Sequence, residues 1–168
     1  MKAAREKEYV EFMAARAGAL YRTAYVLAAG DTHLAEDLVQ ETLSRVYVHW
    51  NKVAAADNAA AYAHTVLVRT FLTYRRRRSS DESPTGYLPD SAGPGADTAL
   101  RLTLLDALGQ LPPRERAVLL LRYWEDRSVE ETAATLKLSR GAVRSRGTRA
   151  LARLRGLLGS SLSELTLS

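Results

Sequence analysis

The sequence predicts an all-α chain of two small helical domains joined by a flexible linker, the second a helix-turn-helix domain, and three observations carry that prediction. Apolar residues recur at three- and four-residue steps on both sides of the middle of the chain, with no strand-like alternation in competition. From Ser79 to Ala96 the chain reads SSDESPTGYLPDSAGPGA, which holds three of the five prolines, three of the ten glycines, three acids and no base. Towards the C-terminus two helix-start signals, Ser128 and Ser139, lie so close together that only a tight turn fits between their helices.

In the first domain, residues 1–78, Tyr9, Phe12, Met13, Leu20, Ala24 and Leu27 mark one apolar face. Gly30-Asp31 opens a second helix whose stripe is Leu34, Leu38, Val39, Leu43, Val46 and Trp50. Asn58 is a cap candidate for a last helix from Ala61 to Arg78, ending in Arg75-Arg76-Arg77-Arg78. The linker, residues 79–96, reaches about 60 Å fully stretched and about 25 Å on average, so the domains are expected to be able to sit far apart. In the second domain, residues 97–158, Leu100, Leu104, Leu105 and Leu108 share a face before Leu111-Pro112-Pro113 stops the helix. Pro113 suits the first turn of the next helix, which runs to Asp126. Ser128 and Glu131 form a capping box for Val129 to Lys137, and Ser139 caps the helix that follows, with a tail over 159–168.

Composition narrows the function. Apolar residues make up 46% and charged residues 26%, ordinary for a folded protein. Without cysteine there is no disulfide, thiolate nucleophile, Cys-ligated zinc or iron–sulfur cluster. No apolar run approaches a signal-peptide core or a membrane span, so a cytoplasmic protein with no membrane partner is expected. The net charge of +5 and a pI near 9.7 favour a polyanionic partner.

The charge is concentrated. Ser139 to Arg155 contains Arg140, Arg144, Arg146, Arg149, Arg153 and Arg155 and no acid. At about 100° per residue, Val143, Gly147, Ala150, Leu151 and Leu154 take one side, to pack on Ala133, Ala134 and Leu136. Arg144, Ser145, Thr148 and Arg149 take the other, continued by Arg153 and Arg146. A solvated helix would carry compensating glutamates. In a helix-turn-helix frame, this arginine face instead suits phosphates and guanine edges of the major groove. Upstream of Arg75 to Arg78 stand Tyr47, Trp50, Tyr62, Phe71 and Tyr74, flat faces on which unpaired bases can stack. Trp50 reads as core, Tyr62 and Tyr74 as exposed.

Other classes have less behind them. His33, Glu36 and Asp37 share a helix face but lack further metal ligands, and an acid-rich helix start explains them. There is no phosphate loop or nucleophile elbow, so no catalytic residue, metal or cofactor is assigned and the chain is not read as an enzyme. A free-standing helix-turn-helix repressor or activator, its first domain dimerising or sensing, shares the same features and predicts tight duplex binding unaided.

Ala35 to Thr42 (AEDLVQET), Tyr62 to Arg78, Leu111 to Val118 and Ser128 to Arg155, in that order, resemble characteristic segments of the extracytoplasmic-function sigma factors of bacterial RNA polymerase. The resemblance covers about Tyr9 to Leu158, and HLAEDLVQE and ALARLR are most similar to the sigma-E-like subfamily of actinobacteria. It implies that the first domain is sigma region 2 and the second region 4, with the linker in place of region 3. It implies a subunit that directs core polymerase to promoters and helps to melt them. Asp37, Gln40 and Glu41 would meet the clamp helices of the largest polymerase subunit, while the flap of the second largest subunit is a further partner. Tyr62, Arg69, Tyr74, Arg75 and Arg76 would act on the minus-ten element, and Ser139, Arg140, Arg144, Ser145 and Arg149 on the minus-thirty-five element. An anti-sigma factor is a possible partner, and Asp81, Glu82 and Asp90 of the linker are candidate phosphate mimics.

The chain departs from the family pattern at four positions. Arg69 stands where Asn is usual, Lys137 replaces a turn glycine, Ala142 replaces Thr, and Gly147 sits inside the recognition helix. A non-glycine residue at the turn implies strain, and a helical glycine costs about 1 kcal/mol relative to alanine.

Overall fold

The protein is described by a computed structural model over residues 2–81 and 96–167, all helix and turn. Helix α1 spans Lys2–Leu27 and α2 Thr32–Val48, with a short α3 at Trp50–Ala54 and a long α4 at Ala59–Asp81. The expected caps are in place. Asp31 Oδ1 accepts the Leu34 amide at 3.0 Å and Asn58 Oδ1 the Ala61 amide at 2.9 Å. Between α1 and α2, Gly30 at φ 91° turns the chain sharply enough for the two helices to pack antiparallel. The core of this bundle is Leu20, Leu27, Leu38, Val46, Leu67 and Phe71, and Trp50 closes its end as predicted, 8% exposed.

The second domain holds α5 (Ala96–Gly109), α6 (Pro113–Leu119), α7 (Val129–Leu136) and α8 (Arg140–Leu167). Pro113 opens α6 as expected, but the helix does not run evenly to Asp126. It widens into a π-type turn over Leu120–Trp124 and ends with Asp126 at φ 54°. The capping box is complete, Ser128 Oγ accepting from the Glu131 amide and Glu131 Oε1 from the Ser128 amide, both at 3.0 Å. Lys137 adopts φ 56°, the left-handed turn position foreseen for it. Ser139 Oγ accepts the Ala142 amide at 3.0 Å and so caps α8. Leu105 and Leu108 are buried whereas Leu100 and Leu104 are exposed, so the expected apolar face of α5 is only half covered by the described residues.

Two helices run on beyond the ends read from the sequence, α4 also begins two residues early, and the stripe to Trp50 is split between α2 and α3. Helix α4 continues past Arg78 to Asp81, and α8 continues through the expected tail to Leu167, because neither stretch contains a proline to stop it. Residues 82–95 of the linker lie outside the described residues, as do the side chains of its three acids.

The linker is long enough to let the domains sit far apart, and in this structure they are docked. Ala117, Val118, Leu121, Leu136 and Val143 belong to the same continuous core as Leu20, Leu67 and Phe71. Periodicity marks which face of a helix is apolar, not whether that face is covered from within its own domain.

Gly147 lies on the buried side of α8, where an added Cβ would meet Val118 Cγ1 at 3.6 Å, an ordinary contact. Gly147→Ala therefore gains helix propensity without a clash and is expected to raise stability by about 1 kcal/mol, read as a higher urea midpoint at unchanged slope.

Candidate nucleic-acid interface

Three surfaces hold the predicted site residues. On α2 the residues Ala35, Leu38, Val39, Thr42 and Val46 turn inward, which leaves Asp37, Gln40 and Glu41 exposed together on the opposite side. Glu41 is not free on that face, since its Oε1 accepts from Arg45 at 2.7 Å. His33, Glu36 and Asp37 are exposed too, and no metal-binding group of His, Cys, Asp or Glu occurs among the described residues.

On α8 the division foreseen from the sequence holds. Val143, Gly147 and Ala150 are buried, and Arg144, Ser145, Thr148 and Arg149 are exposed. Their helix starts at the end of the turn, so Arg140 and Arg144 stand one turn apart at its N-terminal end. Three details change. Arg140 has an acidic neighbour after all, Glu130 of α7 at 3.6 Å. Arg153 leaves the arginine face and lies 3.6 Å from Glu115, which is only 4% exposed. Ala134, expected under α8, is exposed, while Ala133 and Leu136 carry the packing.

On α4, Tyr62 and Tyr74 are half-buried against the core rather than exposed. Phe71, 0% exposed, is core and offers no stacking face. Arg69, expected beside an unpaired base, donates from Nε to the Thr135 carbonyl at 3.0 Å and from Nη2 to the Ala134 carbonyl at 3.2 Å. Arg75 and Arg76 line a cleft of about 590 Å³ whose opposite wall carries Arg114, Lys137 and Arg146. Among the described residues no acid lines this cleft, and the cations that do come from both domains.

Sequence reasoning missed the polar groups that join the domains. Glu125 Oε1 accepts from His64 Nδ1 at 2.5 Å and from the Thr23 hydroxyl at 3.3 Å. Burial pushes the Glu125 carboxyl up, but the His64 hydrogen bond and charge, then Arg127 and Thr23, hold it below the ordinary carboxylate range. Arg127 donates to the Ala61 carbonyl at 2.9 Å and to Thr65 Oγ1 at 2.8 Å. Arg116, 3% exposed, reaches the Leu27 carbonyl at 2.6 Å. Burial, and then the nearby Arg75 charge, lower its pKa to about 10. Each partner lies more than 60 positions away, beyond the reach of any local pattern. A single signal was legible, a dense run of charge from Arg114 to Arg116 inside an otherwise apolar helix.

No described helix is long and apolar enough to cross a membrane. The sequence matches the family model of sigma-70 region 2 over residues 12–80 and that of sigma-70, region 4 over residues 107–156. It is 42% identical over 158 residues to an RNA polymerase sigma-E factor of Streptomyces avermitilis, covering 91% of this chain and 86% of that protein. To the sigma-E factor of Streptomyces coelicolor it is 41% identical over 150 residues, covering 88% and 84%. Among solved structures it is similar to the sigma factor RpoE in complex with the anti-sigma factor NepR from Bartonella quintana. That likeness has a TM-score of 0.70 at 25% identity and covers 91% of this chain and 98% of the other. With regions 2 and 4 matched in order and relatives matched over most of both lengths, this chain belongs to the extracytoplasmic-function group of the sigma-70 family of RNA polymerase sigma factors.

Proposed function

We propose a division of labour within this sigma factor, with domains at residues 1–78 and 97–158 performing different parts of transcription initiation. The acidic face of α2, through Asp37, Gln40 and Glu41, holds the clamp helices of core polymerase, and the second domain meets the flap. Helix α8 reads the minus-thirty-five element with Arg140, Arg144, Ser145 and Arg149, and Ser139 sets its first turn. Tyr62, Arg69, Tyr74, Arg75 and Arg76 of α4 act on the minus-ten element, where capture of extruded bases offsets an unpairing cost of a few kcal/mol per nucleotide. The protein supplies binding energy and no bond chemistry, works in the cytoplasm where polymerase is, and needs no cofactor. An anti-sigma factor is a further candidate partner, supported by the complex in which its structural relative was solved.

The observation that carries this reading is the exposed face of Arg144, Ser145, Thr148 and Arg149 on a helix whose other side packs into the core through Val143, Gly147 and Ala150. Co-purification with core polymerase, followed by transcription from a promoter library, tests it. A repressor would instead bind its duplex site at nanomolar affinity without polymerase.

The α2 assignment has its own test. Asp37→Lys with Glu41→Lys reverses two exposed charges, and is expected to weaken core binding by roughly tenfold or more while leaving the helical circular dichroism unchanged. Unaltered pull-down of polymerase by this double variant removes α2 from the interface.

A further inference from the structure

We infer that the cleft between α4 and the helix-turn-helix is a binding site for a small polyphosphate anion, held by cations from both domains.

Six cations from four stretches of the chain meet there: Arg69, Arg75 and Arg76 of α4, Arg114 of α6, Lys137 of the turn and Arg146 of α8. Among the described residues Arg75, Arg114, Lys137 and Arg146 form no ion pair, although α8 places Arg140 and Arg153 each 3.6 Å from a glutamate. Like charges gathered in this way repel one another unless an anion lies between them. The Arg75 charge is felt inside the fold, since after burial it is the second cause that lowers the Arg116 pKa to about 10.

Lys137 is held at the cleft at a cost. It sits at φ 56° and ψ 48°, the left-handed conformation that glycine adopts freely and a residue with a Cβ does not. Glycine would serve the turn equally well. What lysine adds at this position is an ammonium group on the lining of the cleft. Backbone strain kept beside a charged cavity is a mark of a functional site.

The volume, about 590 Å³, falls inside the range of about 300 to 1,000 Å³ that small-molecule sites occupy. Five of the six cations are arginines, whose planar forks of donors suit phosphate oxygens. Leu72, Pro112, Pro113 and Leu136 line the same space, so a ring attached to the phosphates has an apolar surface to lie on. A nucleoside polyphosphate combines both features. A DNA strand carries its charge one phosphate per nucleotide, whereas a polyphosphate gathers several charges into a volume the cleft can enclose.

The test is titration calorimetry of the full chain with EDTA and about 0.15 M salt, where long-range attraction is screened. The probes are inorganic triphosphate, ATP, adenosine and a short mixed-sequence single-stranded DNA. Triphosphate and ATP are expected to saturate a single site, ATP the more tightly because of the apolar lining, and adenosine is expected not to bind. Equal affinities for the two would assign the site to the phosphate chain alone. Arg114→Gln, Arg146→Gln and Lys137→Gly should each weaken triphosphate binding by roughly tenfold. Lys52→Gln, which removes an exposed charge on α3 outside the cleft, should change it by less than about twofold. Lys137→Gly also relieves the backbone, so the free chain should be at least as stable as the unchanged one while the site is lost, a pairing that a folding defect does not produce. Absence of saturable triphosphate binding, or a loss from Lys52→Gln equal to those at the cleft, overturns the site. Strand binding that falls as far as triphosphate binding in the cleft variants overturns the small-anion assignment and makes the cleft part of a nucleic-acid track.

Discussion

Replacing Arg116 with alanine is expected to destabilise the protein by about 3 kcal/mol or more, a fall in melting temperature of roughly 6 to 12 °C for a chain of this size. The guanidinium serves three carbonyls, Leu27 at 2.6 Å, Gly109 at 3.2 Å and Leu111 at 3.3 Å, and lies 5.5 Å from the centre of the Phe71 ring. Leu27 ends α1, so its carbonyl has no partner further along that helix, and a cation there also suits the helix dipole. Alanine leaves buried acceptors unpaired at about 1 to 3 kcal/mol each and opens a void between the domains. Arg116→Lys keeps the charge but not the planar fork that reaches several carbonyls at once, and should recover only part of the loss. Differential scanning calorimetry settles the matter. A fall smaller than about 2 °C for the alanine variant would show that these bonds are not held in solution.

Arg144→Ala and Arg149→Ala are expected to impair promoter binding by the holoenzyme in two distinguishable ways. Arg144 is exposed near the start of α8, where the side chains of a recognition helix reach base edges. Its loss should cost about 1 to 3 kcal/mol, roughly 5- to 150-fold in affinity, and relax the preference at one upstream position. Arg149 lies further along the same face, where its Nε is 3.4 Å from the Ser145 carbonyl, and should meet phosphate. Its loss should weaken all sequences alike and reduce the salt slope by about one. Binding to a randomised upstream library at several salt concentrations reads both effects. Identical sequence profiles for the two variants would mean that Arg144 reads no base.

Much of the fold was legible because its signals are local. Asp31, Asn58, Ser128 with Glu131, and Ser139 each satisfy an amide within three residues, and all four caps stand where the sequence put them. The two sides of α8 followed from helical geometry alone, since arginine is poorly buried without a partner and valine and alanine are not. The same logic failed at Arg153, because Glu115 is 38 positions away in sequence and comes close only when α6 packs on α8. It failed again at Tyr62 and Tyr74, where exposure depends on how the helix packs into the continuous core.

The sequence by itself determined the helices, their caps, the strained turn at Lys137, the arginine face of α8 and the sigma-factor family, because each is written in residues near one another or in an ordered set of segments. Only the tertiary structure decided that the two domains share one core, that Arg69 is bonded to α7, and that Thr23, His64, Glu125 and Arg127 meet at the join. Those contacts pair groups 61 to 102 positions apart. Their formation depends on whether the summed burial and hydrogen bonding of the docked faces outweigh the chain entropy of the intervening linker and the repulsion of cations across the cleft. That balance is a property of the assembled surfaces, and no local pattern of residues encodes it.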